Sequence, residues 1–484
     1  MLASVSRLSS FAPILTLNKT RRLTGLTLSS LSIVGRSFIV RGASNSVKPF
    51  RTSWTPIEPD GVKAPVKTLR IGCGDSGLGG ALFLIDMVKS LSEFLIDIQS
   101  KYNLNIEFVH YGNAAWAPFG GKSHEVLTVL TYGLIRSMEE LNCQLAIIAC
   151  NTASTTYDAA MTAEMARLHP GMAVHEIIIP TAKTLRETAR LVPNTKGKNE
   201  LHIGILATRA TVLSQKYPIV LAELHRQQYG DSALTVVINN DPFIKEKSKF
   251  TRVFEGKSPL SRGSREEKMA FAQIREGKGN TPVQFIHVHA PANWVSIMEG
   301  TGDYAKLPSD GLQSRLNAEV KTEMDNCFKY AKDFYGNHTD SPLQGLSVIG
   351  LGCTHYPFVQ NQIETALWDK GLQGVKVVSQ GDSFGKGILQ PAIEKWITTN
   401  GITRREIPIA QVKQSAITSY TSVDPKKQTD RESALRPVKY GCKLMDLEIA
   451  ARIVFNTVEV ENPSSISKFS LQSLIAIFGR VPKK

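Results

Sequence analysis

Cys150 and Cys353 stand in matching settings, each after a short apolar run and before polar residues and a helix-like stretch. In Cys143 to Thr156, CQLAIIACNTASTT, the run is too brief for a helix and reads as a fully buried strand of a parallel sheet. Asn151, Thr152 and Ser154 are helix N-cap types, and Ala153 to Leu168 carries apolar residues at helical spacing. In Leu346 to Pro357, LSVIGLGCTHYP, a strand ends in Gly350 and Gly352, Cys353 takes the turn with Thr354 and His355 behind it, and a helix-like run opens at Phe358. The carboxyl end of a strand is where open α/β sheets bind ligands. A free thiol is only a few per cent ionised at neutral pH, so a thiol base needs a local charge or a helix N-terminus. Both cysteines precede a helix, whose dipole favours the thiolate. A lone cysteine is more often a small buried hydrophobe, but a matched pair shifts the balance towards acid/base chemistry.

The elements that must position these thiols follow the same strand-turn-helix form. TLRIGCGDSGLGGALFLIDMVKSL from Thr68 reads as strand, glycine-rich turn and amphipathic helix. Gly72, Gly74 and Gly77 match a dinucleotide fingerprint, which opens a nicotinamide-dependent oxidoreductase as an alternative. That fingerprint wants an acidic residue at the end of the next strand, whereas Asn105 to His110 is followed by Tyr111, Gly112 and Asn113. Asp75 and Ser76 read instead as polar groups at a sheet mouth. A loop through Pro118, Gly120 and Gly121 offers backbone N–H groups to an anion. A helix over 124–142 leads to the Cys150 unit, and a third apolar strand near Ile177 runs to Pro180, with a helix over 181–191. Leu201 to Tyr217 repeats the pattern with Thr208 and Thr211 at the turn.

Residues 241–281 break it, with Lys, Glu, Arg, Ser and Gly and no clear apolar period, and are expected to form an inserted, mobile surface segment. Residues beyond 398 are polar and basic, with one amphipathic piece over 443–455. The first 57 residues hold eight Lys/Arg and no acid, and the segment to Ser46 has a transit-peptide composition, for the mitochondrion or alternatively a plastid. Phe50 to Lys67, with three prolines, reads as a linker. Of the net charge of +14, about +6 remains beyond that basic segment, so nucleic acid is not an expected partner. Six scattered cysteines without CxxC spacing signal neither a disulfide framework nor a metal site, and no apolar run reaches membrane-spanning length.

IGCGDSGLGG, YGNAAWAPFGGKS, ACNTAS, ATRATVLSQKY, PANWVSIMEG and GLGCTHYP resemble, in the same order, the motifs of the cofactor-independent glutamate racemases, within the aspartate/glutamate racemase family. The resemblance covers roughly residues 68–398. It implies an α/β fold class of two Rossmann-like (flavodoxin-like) domains with the active site between them. It assigns 68–178 with 370–398 to the first domain and 179–369 to the second. The flanks are 1–67, transit peptide and linker, and 399–484, a C-terminal extension. The last strand is expected to return to the first domain. Cys150 and Cys353 are implied as the acid/base pair, assisted by Asp75 and His355. Ser76, Phe119, Gly120, Asn151, Thr152, Thr208 and Thr354 match substrate-binding positions, which Asp75 and His355 share, and Glu299 matches an acidic position near the second cysteine.

The expected partner is a small amino-acid substrate, with no cofactor and no metal, and a homodimer as the assembly to test. Inversion of an α-carbon needs a base on one face and an acid on the other, which two thiols supply. Where the family reads GDTAR-x-PYG, this chain has Gly112, Asn113, Ala114, Ala115, Trp116, Ala117, Pro118, Phe119, Gly120. These changes alter polar groups beside the site and keep open an aspartate racemase or a non-catalytic amino-acid-binding protein.

Overall fold

The computed structural model describes residues 53–56, 66–192, 200–239, 251–255, 258–259, 283–299, 302–335, 345–406, 408, 412–413, 417–423 and 453–459, apart from 78, 114–115, 231–232 and 305. Two largely parallel sheets with helices on both faces make up the architecture. The first holds β2 (Lys67–Asp75), β3 (Leu104–Gly112), β4 (Leu145–Ile148) and β5 (Ala173–Glu176), in the order β3-β2-β4-β5 and all parallel. The second runs β12-β11-β6-β10-β7-β8-β9. Its parallel part is β6 (Glu200–Ala207), β7 (Leu234–Asn239), β10 (Val283–His289), β11 (Leu346–Gly352) and β12 (Lys376–Val378).

The period-2 alternation of a strand divides each sheet between two cores. Around β4, Leu145, Ile147 and Ala149 enter one cluster, with Phe83, Met87 and Leu104. Ala146, Ile148 and Cys150 enter the other, with Leu134 and Met138 of the helix over His124–Glu140. Burying each such aliphatic side chain contributes about 1.5–3 kcal/mol. The glycines of the β2 fingerprint belong to this packing. A Cβ on Gly72 would lie 2.7 Å from the Cys143 sulfur, and one on Gly74 3.1 Å from the Met138 methyl. They let that helix lie close on the strand, and where a dinucleotide fold places its pyrophosphate-binding turn this chain has the Asp75 carboxylate accepting the Gly80 N–H at 2.7 Å.

Several boundaries differ from the expectations. The run IIIP does not continue a strand to Pro180: β5 ends at Glu176, and the next helix spans Ile178–Leu191. The Glu176 carboxylate accepts the N–H groups of Ile178 and Ile179, supplying the helix start that the apolar run concealed. The helix after Cys150 is two helices, Asn151–Ser154 and Ala159–Leu168, because Asp158 caps a new start at the Met161 N–H. After Cys353 the chain makes a 3-10 turn over Tyr356–Val359 before the helix Gln360–Asp369.

The last strand does not return to the first sheet, since β12 pairs with β11. The helices after it return, with Phe384, Leu389, Ile393 and Ile397 packed into the core of β2 and β3. Within the expected mobile insertion, β8 (Thr251–Glu255) and β9 (Ser258–Pro259) add antiparallel strands beyond β7, and the rest of 241–281 lies outside the described residues. The expected linker supplies β1 (Ser53–Pro56), antiparallel to β3 at Glu107 and Ile106. The C-terminal extension supplies β13 (Val412–Lys413), β14 (Ile417–Val423) and β15 (Ile453–Glu459). β13 pairs with β1, and β14 lies parallel to β3 over Val109–Gly112. The transit-peptide segment lies outside the described residues.

Candidate active site

The carboxyl ends of β2, β4, β6, β10 and β11 face one cavity of about 290 Å³, close to the lower end of small-molecule sites. Around it the structure places the residues that the family resemblance assigned to the site. From the first half come Asp75, Ser76, Phe119, Gly120, Cys150, Asn151 and Thr152, and from the second Thr208, Glu299, Cys353, Thr354 and His355. Cys73 takes no part: its thiol donates to the Gly80 carbonyl at 3.3 Å and is buried.

The two thiols have different company. Cys150 is the N-cap of the four-residue helix 151–154, and its thiol donates to the Ser76 hydroxyl at 3.7 Å. Burial, and then the charge of Asp75 beside it, hold this thiol well above its ordinary range. The expected thiolate-favouring effect of the helix is therefore corrected here, because one short turn of dipole is outweighed by desolvation and a carboxylate neighbour. Asp75 is itself raised, chiefly by burial, with the positive charge of His355 and several hydrogen bonds pulling the other way.

Cys353 has an imidazole for a neighbour. His355 Nδ1 lies 3.8 Å from the Cys353 sulfur, and His355 Nε2 lies 3.0 Å from Glu299 Oε1. Burial favours the neutral ring, but the hydrogen bonds and charges of Cys353 and Glu299 together outweigh it and raise His355 well above its ordinary value. Glu299 reaches the site from the helix Trp294–Glu299, which follows β10.

The two halves touch at the cavity. Thr152 and Thr208 join hydroxyls at 3.1 Å, and Thr208 also meets Thr211 at 2.9 Å. A Cβ on Gly79 would fall 2.1 Å from the Thr354 hydroxyl and 2.7 Å from the His355 ring, so the first residue of the helix Gly79–Ser90 abuts the second cysteine's turn. Beneath the site Lys216 donates to the carbonyls of Ser154 and Tyr157, with Glu176 at 3.8 Å.

Residues that the sequence reading did not single out include Arg209 at the cavity and Tyr356 beneath Cys353. Behind Asn151 stand Tyr217 and Gln380, both buried. Tyr217 closes the motif ATRATVLSQKY, and Gln380 lies two residues beyond the end of β12, a position that could have flagged it. Among the described residues no group of three or more His, Cys, Asp or Glu is placed to hold a metal, and no helix is long and apolar enough to cross a membrane.

No protein-family model matches the chain. The chain is similar to the glutamate racemase of Ruegeria sp. strain TM1040, 30% identical over 157 residues, which is 32% of this chain and 52% of that protein. It is similar to the glutamate racemase of Lactococcus lactis subsp. cremoris SK11, 28% identical over 269 residues, 53% of this chain and 85% of that one. The match spans about half the length of the first of these relatives. A solved structure, glutamate racemase isoform RacE1 from Bacillus anthracis, aligns over 81% of this chain and 97% of its own, with a TM-score of 0.45 and 16% identity. The relatives in sequence are thus glutamate racemases, the group that the motifs resemble.

Proposed function

We propose that this protein interconverts the enantiomers of an acidic amino acid, L- to D-glutamate first, by proton transfer between two thiols and the α-carbon. The observation that carries this reading is the pair of thiols on one cavity, each at a strand end and each with its own ionisable partner. A substrate seated between the halves would have its α-carbon flanked by Cys150 and Cys353. For one enantiomer a thiolate on one side takes the α-proton while the thiol opposite delivers its own, and the roles exchange for the other.

On the Cys150 side an ionised sulfur needs compensation, because burial and Asp75 both favour the thiol. The substrate ammonium, drawn to Asp75, brings that positive charge. On the Cys353 side His355, held by Glu299 and raised above its ordinary value, is the group to carry that charge. Ser76, Thr152, Thr208 and Thr354, with backbone N–H groups at the turns, offer hydrogen bonds to the carboxylates and to charge developing on the carbanion.

The test is incubation of the purified protein with L- and D-glutamate and L- and D-aspartate in deuterated water, without added cofactor. Deuterium entering the α-position with loss of optical rotation is the expected result for glutamate. Faster turnover of aspartate would reassign the substrate and attach weight to the changed 112–120 loop. Absence of exchange from all four would leave a binding protein. Assembly as a homodimer and delivery to the mitochondrion belong to the same proposal, resting on the family resemblance and on the acid-free N-terminal segment. Sedimentation velocity and a fluorescent fusion of that segment test them.

A further inference from the structure

Asn151, Tyr217 and Gln380 come from three separate parts of the chain and meet in a closed ring of hydrogen bonds. Asn151 opens the short helix after β4, Tyr217 lies in the helix Lys216–Tyr229 after the β6 turn, and Gln380 begins the segment that leaves β12. Tyr217 Oη donates to Asn151 Oδ1 at 2.9 Å, and Gln380 Nε2 donates to the same oxygen at 2.9 Å and to Tyr217 Oη at 2.8 Å. Asn151 Nδ2 completes the ring, donating to Gln380 Oε1 at 2.8 Å. All three residues are at most 3% exposed, and only Asn151 reaches the cavity.

The atom count has a chemical result. An amide oxygen has two lone pairs and an amide nitrogen two hydrogens. Asn151 Oδ1 is filled by its two donors, while Nδ2 has spent one hydrogen of two. Burial keeps the Tyr217 phenol protonated, so its donation persists across the ordinary pH range.

We propose that Gln380 and Tyr217 are positioning residues that lock the Asn151 amide so that it offers the cavity an N–H donor and no acceptor, making it a carboxylate-binding group. The lock ties this polarity to the packing of the two sheets, because it closes only when the β4 turn, the β6 helix and the returning segment are in register. Its use in turnover rests on the racemase reading above.

The experiment combines a double-mutant cycle with a readout that needs no catalysis. Gln380→Met removes two donors and an acceptor without touching the cavity. It is expected to raise KM for glutamate about tenfold with kcat changed by less than about threefold, since it weakens a substrate hydrogen bond and leaves the thiols in place. Asn151→Ala should raise KM by a similar factor, and the double variant should be no worse than Asn151→Ala alone. Multiplying effects, or a Gln380→Met enzyme with unchanged KM, would overturn the lock. Tyr217→Phe removes one donor to Asn151 and the acceptor of one Gln380 hydrogen, leaves the paired amides of Asn151 and Gln380 in place, and repeats the test with a smaller shift should the Met variant fail to fold.

Independently, the Asn151 side-chain amide signal of the isotopically labelled full-length chain, assigned by its absence in Asn151→Ala, should move and lose exchange protection in Gln380→Met and in Tyr217→Phe. A signal unmoved in both overturns the lock whatever the kinetics give. A wild type inert towards glutamate and aspartate, with the signal moving as expected, instead removes the racemase reading and leaves the lock standing.

Discussion

The turns at Cys150 and Cys353 look alike in the sequence and differ in what surrounds them. One thiol has a carboxylate and a hydroxyl for company, and the other an imidazole braced by Glu299. Both occupy the end of a parallel strand, so the backbone repeats while the electrostatics do not. A racemase must hand a proton across a carbon in either direction, and its two faces need comparable reactivity once substrate is bound. They need not be built alike beforehand. On the Cys353 side the bonds and charges around His355 favour its charged form before any ligand arrives. In the proposed reaction the Cys150 side gains its positive charge from the substrate ammonium.

The most severe way to break this comparison is to remove each thiol in turn. Cys150→Ser and Cys353→Ser should each lower racemisation about 10³-fold or more, because inversion needs an acid and a base together. Each retains one competent sulfur, so each should exchange the α-hydrogen of one enantiomer slowly with retention, and the favoured enantiomer should reverse between the two. Mass spectrometry on each enantiomer separately decides it. Substantial racemisation by either variant, or a shared preference, would dismiss the two-thiol scheme.

Removing the partners should cost less and should separate the faces by stability. Asp75→Asn and His355→Gln are each expected to slow turnover about 10²-fold. Burial raises Asp75 from 3.8, so its contribution to stability is full below that value and is lost as pH rises through its folded value. The buried carboxyl is thus a burden at neutral pH, and Asp75→Asn should raise Tm there. His355 is raised from 6.5 by its partners, so its contribution is full below 6.5 and is lost as pH rises through the higher folded value. His355→Gln should therefore lower Tm at pH 6 and converge on the wild type in alkali. Melts of both variants across pH check the two signs, and equal shifts in one direction would erase the proposed difference between the faces.

The smallest effect concerns the chain ends, whose described strands extend the sheet that carries Cys150. Removing residues 1–62 takes away β1 and its pairing with Glu107 and Ile106, at an edge remote from the ends of β4 and β11. Activity should persist and Tm fall by a few degrees, roughly the shift expected for about 1 kcal/mol in a protein of this size. Loss of activity with an intact fold would show that the edge reaches the cavity.

Much of this was legible from local pattern. Strand ends at Asp75, Cys150, Thr208 and Cys353 followed from apolar runs broken by small polar residues, and the cavity gathers all four. Three kinds of information were not visible in the apolar pattern. The destination of Lys376–Val378 depends on which neighbour offers a free edge, and it paired with β11. The helix start at Ile178 depends on the Glu176 carboxylate folding back on two backbone N–H groups, which an apolar run does not reveal. The Gln380 contact spans 229 residues to Asn151, and nothing in either segment alone identifies its partner. Ionisation at Cys150 was misread for a similar reason: the helix N-terminus is visible in the sequence, whereas the depth of burial and the approach of Asp75 exist only after folding.

Gly79 turns the contact between the halves into a handle for mutational design. With no room for one further carbon beside Thr354 and His355, an alanine there is a wedge of atomic size placed in the seam, far smaller than the loops usually redesigned to control opening. Saturation libraries should therefore show an abrupt cliff at this position, all side chains failing together whatever their chemistry. The Gly79→Ala chain separates two responses, the Thr354 and His355 side chains giving way or the seam itself parting.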